Sequence, residues 1–385
     1  RGHFLYRYMS RADLLSRRVQ TTGSAGEVIG PASGFACVAG QVYLKLPGGV
    51  NPNGEPVVLS PPFWGEDGTT PVVTVSNSPG VVFDGLRIQA SGIFGIKFDP
   101  TSTHAVIRNC LFEYCRAGLS LPSHSLVEWS EHTYPGFYEF SEEVRLANGG
   151  QLRTYPLVKE YHPANWYESG IADYAYGMQV PPVGCEFRFN YMHELFDCEG
   201  LGNFDDSESH HNVYEHCYDN SVELEGWQKG FHSRNLRLHD NLMLSCPQGH
   251  ISHQNPEQLQ GPHYIYRNVI HGYDAHGMNP WVLIKSKHNM GTGFHYYHNL
   301  FWVESAEPYW NEREWQQTWL ERFDFTNNIF VFEGRMRRPT GPEGSEQLFT
   351  AGSNVVVAAE ADEAILTALL RHGGRRLASS DQLLL

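Results

Sequence analysis

The chain lacks several things that would have decided its function at once. No apolar run approaches the ~18 residues of a membrane span, so no helical anchor is expected. Basic residues are few: 28 Lys and Arg stand against 43 Asp and Glu, a net charge of −15, and no Lys/Arg-rich block occurs. That balance excludes nucleic-acid binding by bulk charge and makes an anionic membrane surface a poor partner. No GxSxG, Walker, HExxH or strand-following GxGxxG signature is present, which removes the compact motifs of serine hydrolases, nucleotide-binding proteins and zinc proteases. No CxxC pair occurs among the seven cysteines, and an odd count cannot pair completely. Buried free thiols in a β core are therefore expected, ahead of a disulfide or a zinc site. No signal-peptide pattern opens the sequence at Arg1, so the compartment has to be inferred from function.

What is abundant points one way. Hydrophobic residues make up 41% and charged residues only 18%, a composition that folds. The 38 glycines, 20 histidines and 13% aromatics suit a turn-rich β protein with an aromatic-lined surface.

A repeat organises the middle of the chain. An Asn that follows strand-like residues and precedes an apolar one recurs in VIRNCLF at Asn109, RFNYMHEL at Asn190, SHHNVYEHC at Asn212 and LHDNLMLSC at Asn241. It continues in IYRNVIHGY at Asn268, YYHNLFWVE at Asn299 and TNNIFVFE at Asn328. After most of these comes a short strand, a turn and a second apolar strand, as in GLSL (118–121), SVELEG (221–226), GHISHQ (249–254) and PWVLIKSK (280–287). Strand, Asn turn, strand, turn, strand and variable loop make one coil of a parallel β-solenoid. An Asn at the same corner of successive coils can adopt left-handed geometry and hydrogen-bond its copies above and below. Period-two alternation rich in Val, Ile, Tyr and Phe argues against helical repeats.

The expected organisation is a lead-in and cap over 1–71, a coil region over 72–335, and a tail over 336–385. Strands are expected at 42–49 and 55–60, and helices at 303–322 and 361–374. The segment 122–180 reads as an insertion rich in Trp, Tyr and Phe, placed over the outward face of the coils. The whole is all-β: a right-handed parallel β-helix with an aromatic-rich insertion and short helical segments. This repeat resembles that of the right-handed parallel β-helix proteins of the pectate-lyase and polygalacturonase type.

Strand alternation then selects candidate residues. In SVELEG, Val222 and Leu224 read as the inward pair, which turns Ser221, Glu223 and Glu225 outward. Counting ten from the ladder Asn carries this phase to Ile251, so His250, Ser252 and Gln254 face out. In PWVLIKSK, Trp281, Lys285 and Lys287 face out. The turn before SVELEG adds Asp219, and the preceding coil offers Asp197, Glu199, Asp205 and Asp206. Two outward Glu residues on one strand repel, which raises a pKa or calls for a cation. In the polygalacturonase-type proteins, catalytic acids occupy consecutive coils of one sheet, followed by Gly-His and a basic residue. The resemblance matches Asp197, Asp219 with Glu223, Gly249-His250 and Lys285 to that order. It departs at Asp219-Asn220, where an Asp pair would stand, and at IKSK.

Three functions compete. A glycoside hydrolase would use Glu223, Glu225 and Asp219 as acid and base, with His250 and Lys285 beside them and no cofactor. Gln254, Trp281, Lys287, Trp166 and Tyr167 would bind the polysaccharide or oligosaccharide substrate. A polysaccharide lyase would instead hold Ca²⁺ on the acidic group and use Lys285 or Lys287 as base. Asp205 and Asp206 are the candidate metal ligands. A non-catalytic carbohydrate-binding solenoid would need only the aromatics. Secretion or periplasmic export is expected from the function class alone. His210-His211 and His295/His298 read as stacked corner residues rather than ligands.

Overall fold

The computed structural model describes residues 5–20, 27–57, 71–91, 94–134, 143–149, 181–217, 220–225, 233–246, 251–254, 261–273, 284–286, 293–303, 323–333, 350–358, 363–379 and 382. For Glu225, residues 252–254 and residues 284–286 it places the backbone alone.

Two long parallel sheets dominate, one of ten strands from Val82–Asp84 to Thr350–Gly352 and one of eleven from Arg87–Gln89 to Arg375–Leu377. A third face carries the strands Val73–Val75, Phe94–Phe98 and Ala117–Ser120, then separately Asp197–Gly200, Asn220–Glu225, Ile251–Gln254 and Ile284–Ser286. Neighbouring strands in each sheet come from successive turns of the chain, the architecture of a parallel β-solenoid. The sheets continue past residue 335 through Thr350–Gly352, Val355–Ala358 and Arg375–Leu377. Inward residues form one continuous apolar core, including Ile107, Phe187, Tyr214, Val222, Met243, Ile251, Ile270 and Phe301.

The corner between the two long sheets explains the Asn repeat. Each ladder Asn accepts, through Oδ1, the backbone N–H of the ladder residue one coil earlier: Asn212 N–H to Asn241 at 2.9 Å, Asn241 to Asn268 at 3.1 Å, Asn268 to Asn299 at 3.0 Å. Its amide donates to a carbonyl of the preceding coil, as Asn241 does to Ser209 O at 3.0 Å. All are buried. The column runs from Asn190 through Asn328 to Asn354, whose amide also donates to Leu369 O.

The left-handed backbone belongs to the residue before each ladder Asn: His211, Asp240, Arg267, His298 and Asn327 have φ between 55° and 59°. Asn109 therefore sits in the left-handed position (φ 53°), exposed, and the ladder place in its coil is taken by Cys110. The two roles fall on adjacent residues, and Asn suits both.

The segment 122–180 does not begin as an insertion. Leu126–Glu128 and Glu131–Thr133 form an ordinary coil, joined to the long sheets on both sides. Trp129 occupies its left-handed corner and stacks on Phe189 at 4.5 Å, while Tyr134 is buried edge-on against Tyr114. Farther along, residues 143–147 are helical and dock on the N-terminal unit. Glu143 accepts from Arg17 at 3.2 Å and from Ala32 N at 2.7 Å, and Asn148 exchanges two hydrogen bonds with Ile29.

That unit has its own small core of Tyr6, Tyr8, Leu14, Val19, Val28, Ala36 and Val144. It includes the helix α1, Arg11–Ser16, capped by Ser10, and the strand Gln41–Lys45 where one was expected. No strand occurs at 55–57; the rest of 55–60 lies outside the described residues, as does 304–322. The tail helix α2, Glu363–Leu369, forms as its apolar spacing predicts. Leu366, Ala368 and Leu369 are buried, and Gly373 turns the chain at φ 93°.

Candidate functional site

The third face carries the sequence-selected residues, and strand register tests their alignment. Val222 pairs with Ile251, as the Asn count requires, and Ile251 pairs with Ile284 on the next coil. The same register puts Glu223 beside Ser252 and Ser252 beside Lys285, with Glu225 beside Gln254. Glu223 and Lys285 are thus two coils apart on one line, roughly 10 Å. On the other side Glu223 pairs with Gly200, which has no side chain to flank it. Asp219, His250, Trp281, Lys287, Trp166 and Tyr167 lie outside the described residues.

Exposure departs from the sequence expectation. Alternation sets Glu223 opposite the core pair Val222 and Leu224, yet Glu223 is only 9% exposed and Ser221 fully buried. The outward face of this strand is covered rather than open to water.

The preceding strand corrects a second expectation. Glu199 pairs with Val222, and Asp197 with Asn220, so both sit at inward positions. Asp197 is 4% exposed and accepts the backbone N–H and amide of Asn220 at 3.1 and 2.7 Å. Glu199 is fully buried, and its Oε2 accepts from Tyr214 at 2.5 Å and Ser209 at 2.8 Å. Neither can reach a substrate on the outer face. Between them Cys198 forms a disulfide with Cys217, Cα–Cα 5.8 Å, correcting the expectation of free thiols. The other five are free, with Cys110, Cys115, Cys185 and Cys246 buried. Burial pushes the Cys115 and Cys185 thiols up to about 12, so neither is a ready nucleophile.

Burial raises Glu199 from 4.5 to about 7, against the pull of its bonds from Tyr214 and Ser209. The folded state then holds a proton that the unfolded chain releases near pH 4.5, so stability falls as pH rises through 4.5 to 7. The full penalty above that range is about 3 kcal/mol. Glu199→Gln should leave the melting temperature almost unchanged at pH 5 and raise it relative to wild type at pH 8. Parallel pH profiles for the two proteins would contradict the inward, protonated placement.

Asp205 and Asp206 are engaged by protein groups. Asp205 takes Arg234 Nε at 3.2 Å and the backbone N–H of Arg234 and Asp206; Asp206 accepts from the amide of Asn235 at 2.7 Å. Ligand atoms converge elsewhere, on the outer side of the ten-stranded sheet. There Glu186, Glu208 and His210 each offer an oxygen or nitrogen within 4.8 Å of the others.

Sequence reasoning missed this group, although the repeat contained it. Residues four and two before each ladder Asn are Glu186 and Arg188, Glu208 and His210, Arg237 and His239, then Tyr264 and Tyr266, all facing one way in register. The stacking expected of His210 is present as well. Its ring lies parallel to His239 at 4.9 Å, and the stack continues through Tyr266 and Tyr297.

Compared with protein-family models, with curated proteins and with solved structures, the chain matches none.

Proposed function

We propose that this chain is a carbohydrate-active enzyme that cleaves glycosidic bonds of a polysaccharide, a glycoside hydrolase acting from the third face of a right-handed β-helix of the pectate-lyase and polygalacturonase type. The observation that carries the reading is the register: Glu223 and Glu225, two residues apart on one strand, line up with Ser252, Gln254 and Lys285 on the next two coils. Hydrolysis needs one protonated and one ionised carboxyl flanking the scissile bond. Two glutamates two residues apart on one strand would supply the two carboxyls of that division. Asp219 and His250, which precede these strands in sequence, are the further proposed members of the group. Gln254, Trp281 and Lys287, with Trp166 and Tyr167 of the insertion, are the proposed substrate contacts. The Cys198–Cys217 disulfide supports an oxidising compartment, hence secretion or export to a periplasm.

A second reading draws on Lys285. A lysine two coils along the same line from the two glutamates would suit a lyase, with Ca²⁺ on the acids and Lys285 as the base for elimination from a uronate. Product chemistry separates the two. The protein is incubated with a panel of neutral and uronate polysaccharides, and both reducing ends and ultraviolet absorbance are followed. New reducing ends without absorbance are expected. Absorbance from an unsaturated uronate would replace the hydrolase reading by the lyase. Saturable binding without cleavage on every polymer would leave a carbohydrate-binding solenoid.

A further inference from the structure

Glu186, Glu208 and His210 lie on two adjacent coils of the ten-stranded sheet, with His239 on the coil after. Ion pairs and hydrogen bonds surround the group. Arg267 holds Asp240 well below the usual carboxylate range, with Nε at 2.7 Å and Nη2 at 2.5 Å. Asp240 therefore accepts the Nδ1–H of His239 at 2.8 Å. Nε2 of the same ring faces Glu208 Oε2 at 3.8 Å. A carboxylate on the far nitrogen is the arrangement that orients a metal-binding imidazole.

The neighbouring pair shares the imidazole–carboxylate contact at Nε2 but differs at Nδ1. His210 Nε2 lies 3.1 Å from Glu186 Oε1, and its Nδ1 is 2.8 Å from His211 Nδ1. Both stacked rings are only 12–13% exposed, whereas the carboxylates are about a third exposed, so the group opens to solvent on the carboxylate side. Two guanidiniums compete: Arg188 reaches Glu186 at 2.7 Å and Arg237 reaches Glu208 at 3.6 Å. Arg188 already has its own partner, donating from Nε and Nη2 to Glu128 at 3.0 and 2.8 Å. Over the whole network, Glu128, Glu186, Glu208 and Asp240 outnumber Arg188, Arg237 and Arg267 by one negative charge.

We infer that Glu186, Glu208 and His210 form a binding site for one divalent transition-metal ion of the Zn²⁺ type, with His239 flanking it. Mixed imidazole and carboxylate donors suit Zn²⁺, while Ca²⁺ takes oxygen ligands throughout. Ligand atoms at ~2.1 Å from a common ion can stand at most ~4 Å apart, so small side-chain rotations close the observed spacing. Three protein ligands leave a position open to solvent. The site stands on a different sheet from the proposed cleft and is independent of that reading.

The test uses the untagged full chain, treated with chelator, dialysed and titrated with ZnCl₂ by calorimetry. One saturable equivalent with micromolar or tighter affinity is expected in wild type. His210→Ala and, separately, Glu208→Gln should each weaken that affinity at least tenfold, while His372→Ala, at the far end of the solenoid, leaves it unchanged. A zinc-dependent rise in melting temperature should be lost in the same two variants and kept in the third. CaCl₂ in tenfold excess should not displace zinc. Absence of saturable binding in wild type, or equal affinity in both site variants, would show that the cluster is an ion network closed by Arg188 and Arg237.

Discussion

Glu223→Gln and Glu225→Gln, made singly, should each lower kcat by ~10²-fold or more on any polysaccharide that the wild type cleaves, the range attached to positioned proton transfer. The register makes the two residues a unit on one strand, so the double variant should be little worse than either single one. Folding is the needed control, because Glu223 is only 9% exposed and its substitution is not that of a free surface residue. Removing one partner of a covered polar contact costs about 1–3 kcal/mol, so a shifted melting temperature with a folded spectrum is expected for Glu223→Gln. Lys285→Ala discriminates between the two chemistries. A raised KM with kcat retained is the hydrolase result. Abolished turnover, with both Glu variants partly rescued by calcium, is the lyase result. Full activity in both Glu variants would move the active site away from this face.

Asn241→Ala should cost about 3 kcal/mol, a large fraction of the about 5–15 kcal/mol margin of an ordinary domain. The side chain is buried and makes contacts in both directions along the ladder. Its loss strands the backbone N–H of Asn212 and the carbonyl of Ser209, and takes one donor from Asn268 Oδ1. Each buried group left without a partner costs about 1–3 kcal/mol, and the cavity adds to it. Asn109→Gly is the comparison. Asn109 is exposed with φ 53°, and glycine relieves that backbone, so a shift well under 1 kcal/mol is expected. Chemical denaturation midpoints of the two variants check the ordering. Equal shifts would mean that the repeated Asn marks a turn and not a structural column. Because coils contact only their neighbours, the Asn241 variant should also broaden the transition.

The repeat was legible because two periods coincide in it. Alternation separates the inward from the outward residues of each strand, and the Asn count carries that phase from coil to coil over loops of different length. It succeeded for Val222 and Ile251, which pair as counted. It failed at Asp197-Cys198-Glu199-Gly200, where no apolar pair reveals the phase. The register then puts both acids inward, where Tyr214 and Ser209 supply Glu199, and Asn220 supplies Asp197, with the partners that a buried carboxyl requires. It failed also at Asn109, where the left-handed residue and the ladder residue are neighbours and either fits Asn.

The sequence by itself therefore determined the coil, its corner and the inward face of most strands, since these follow from local alternation and from one residue type repeated at one corner. Tertiary structure alone decided what lies across from what. Ser130 and Asn190 are ladder neighbours across 60 residues of chain, and Cys198 and Cys217 meet because successive coils bring a strand of one beside a turn of the next. Whether an outward side chain reaches water was likewise settled by packing: alternation sets the face on which Glu223 lies but carries no information about what covers that face. The meeting of Glu186, Glu208, His210 and His239 has the same origin. Each is an unremarkable polar residue on its own strand, and only the stacking of coils at ~4.8 Å turns three such strands into one cluster of ligands.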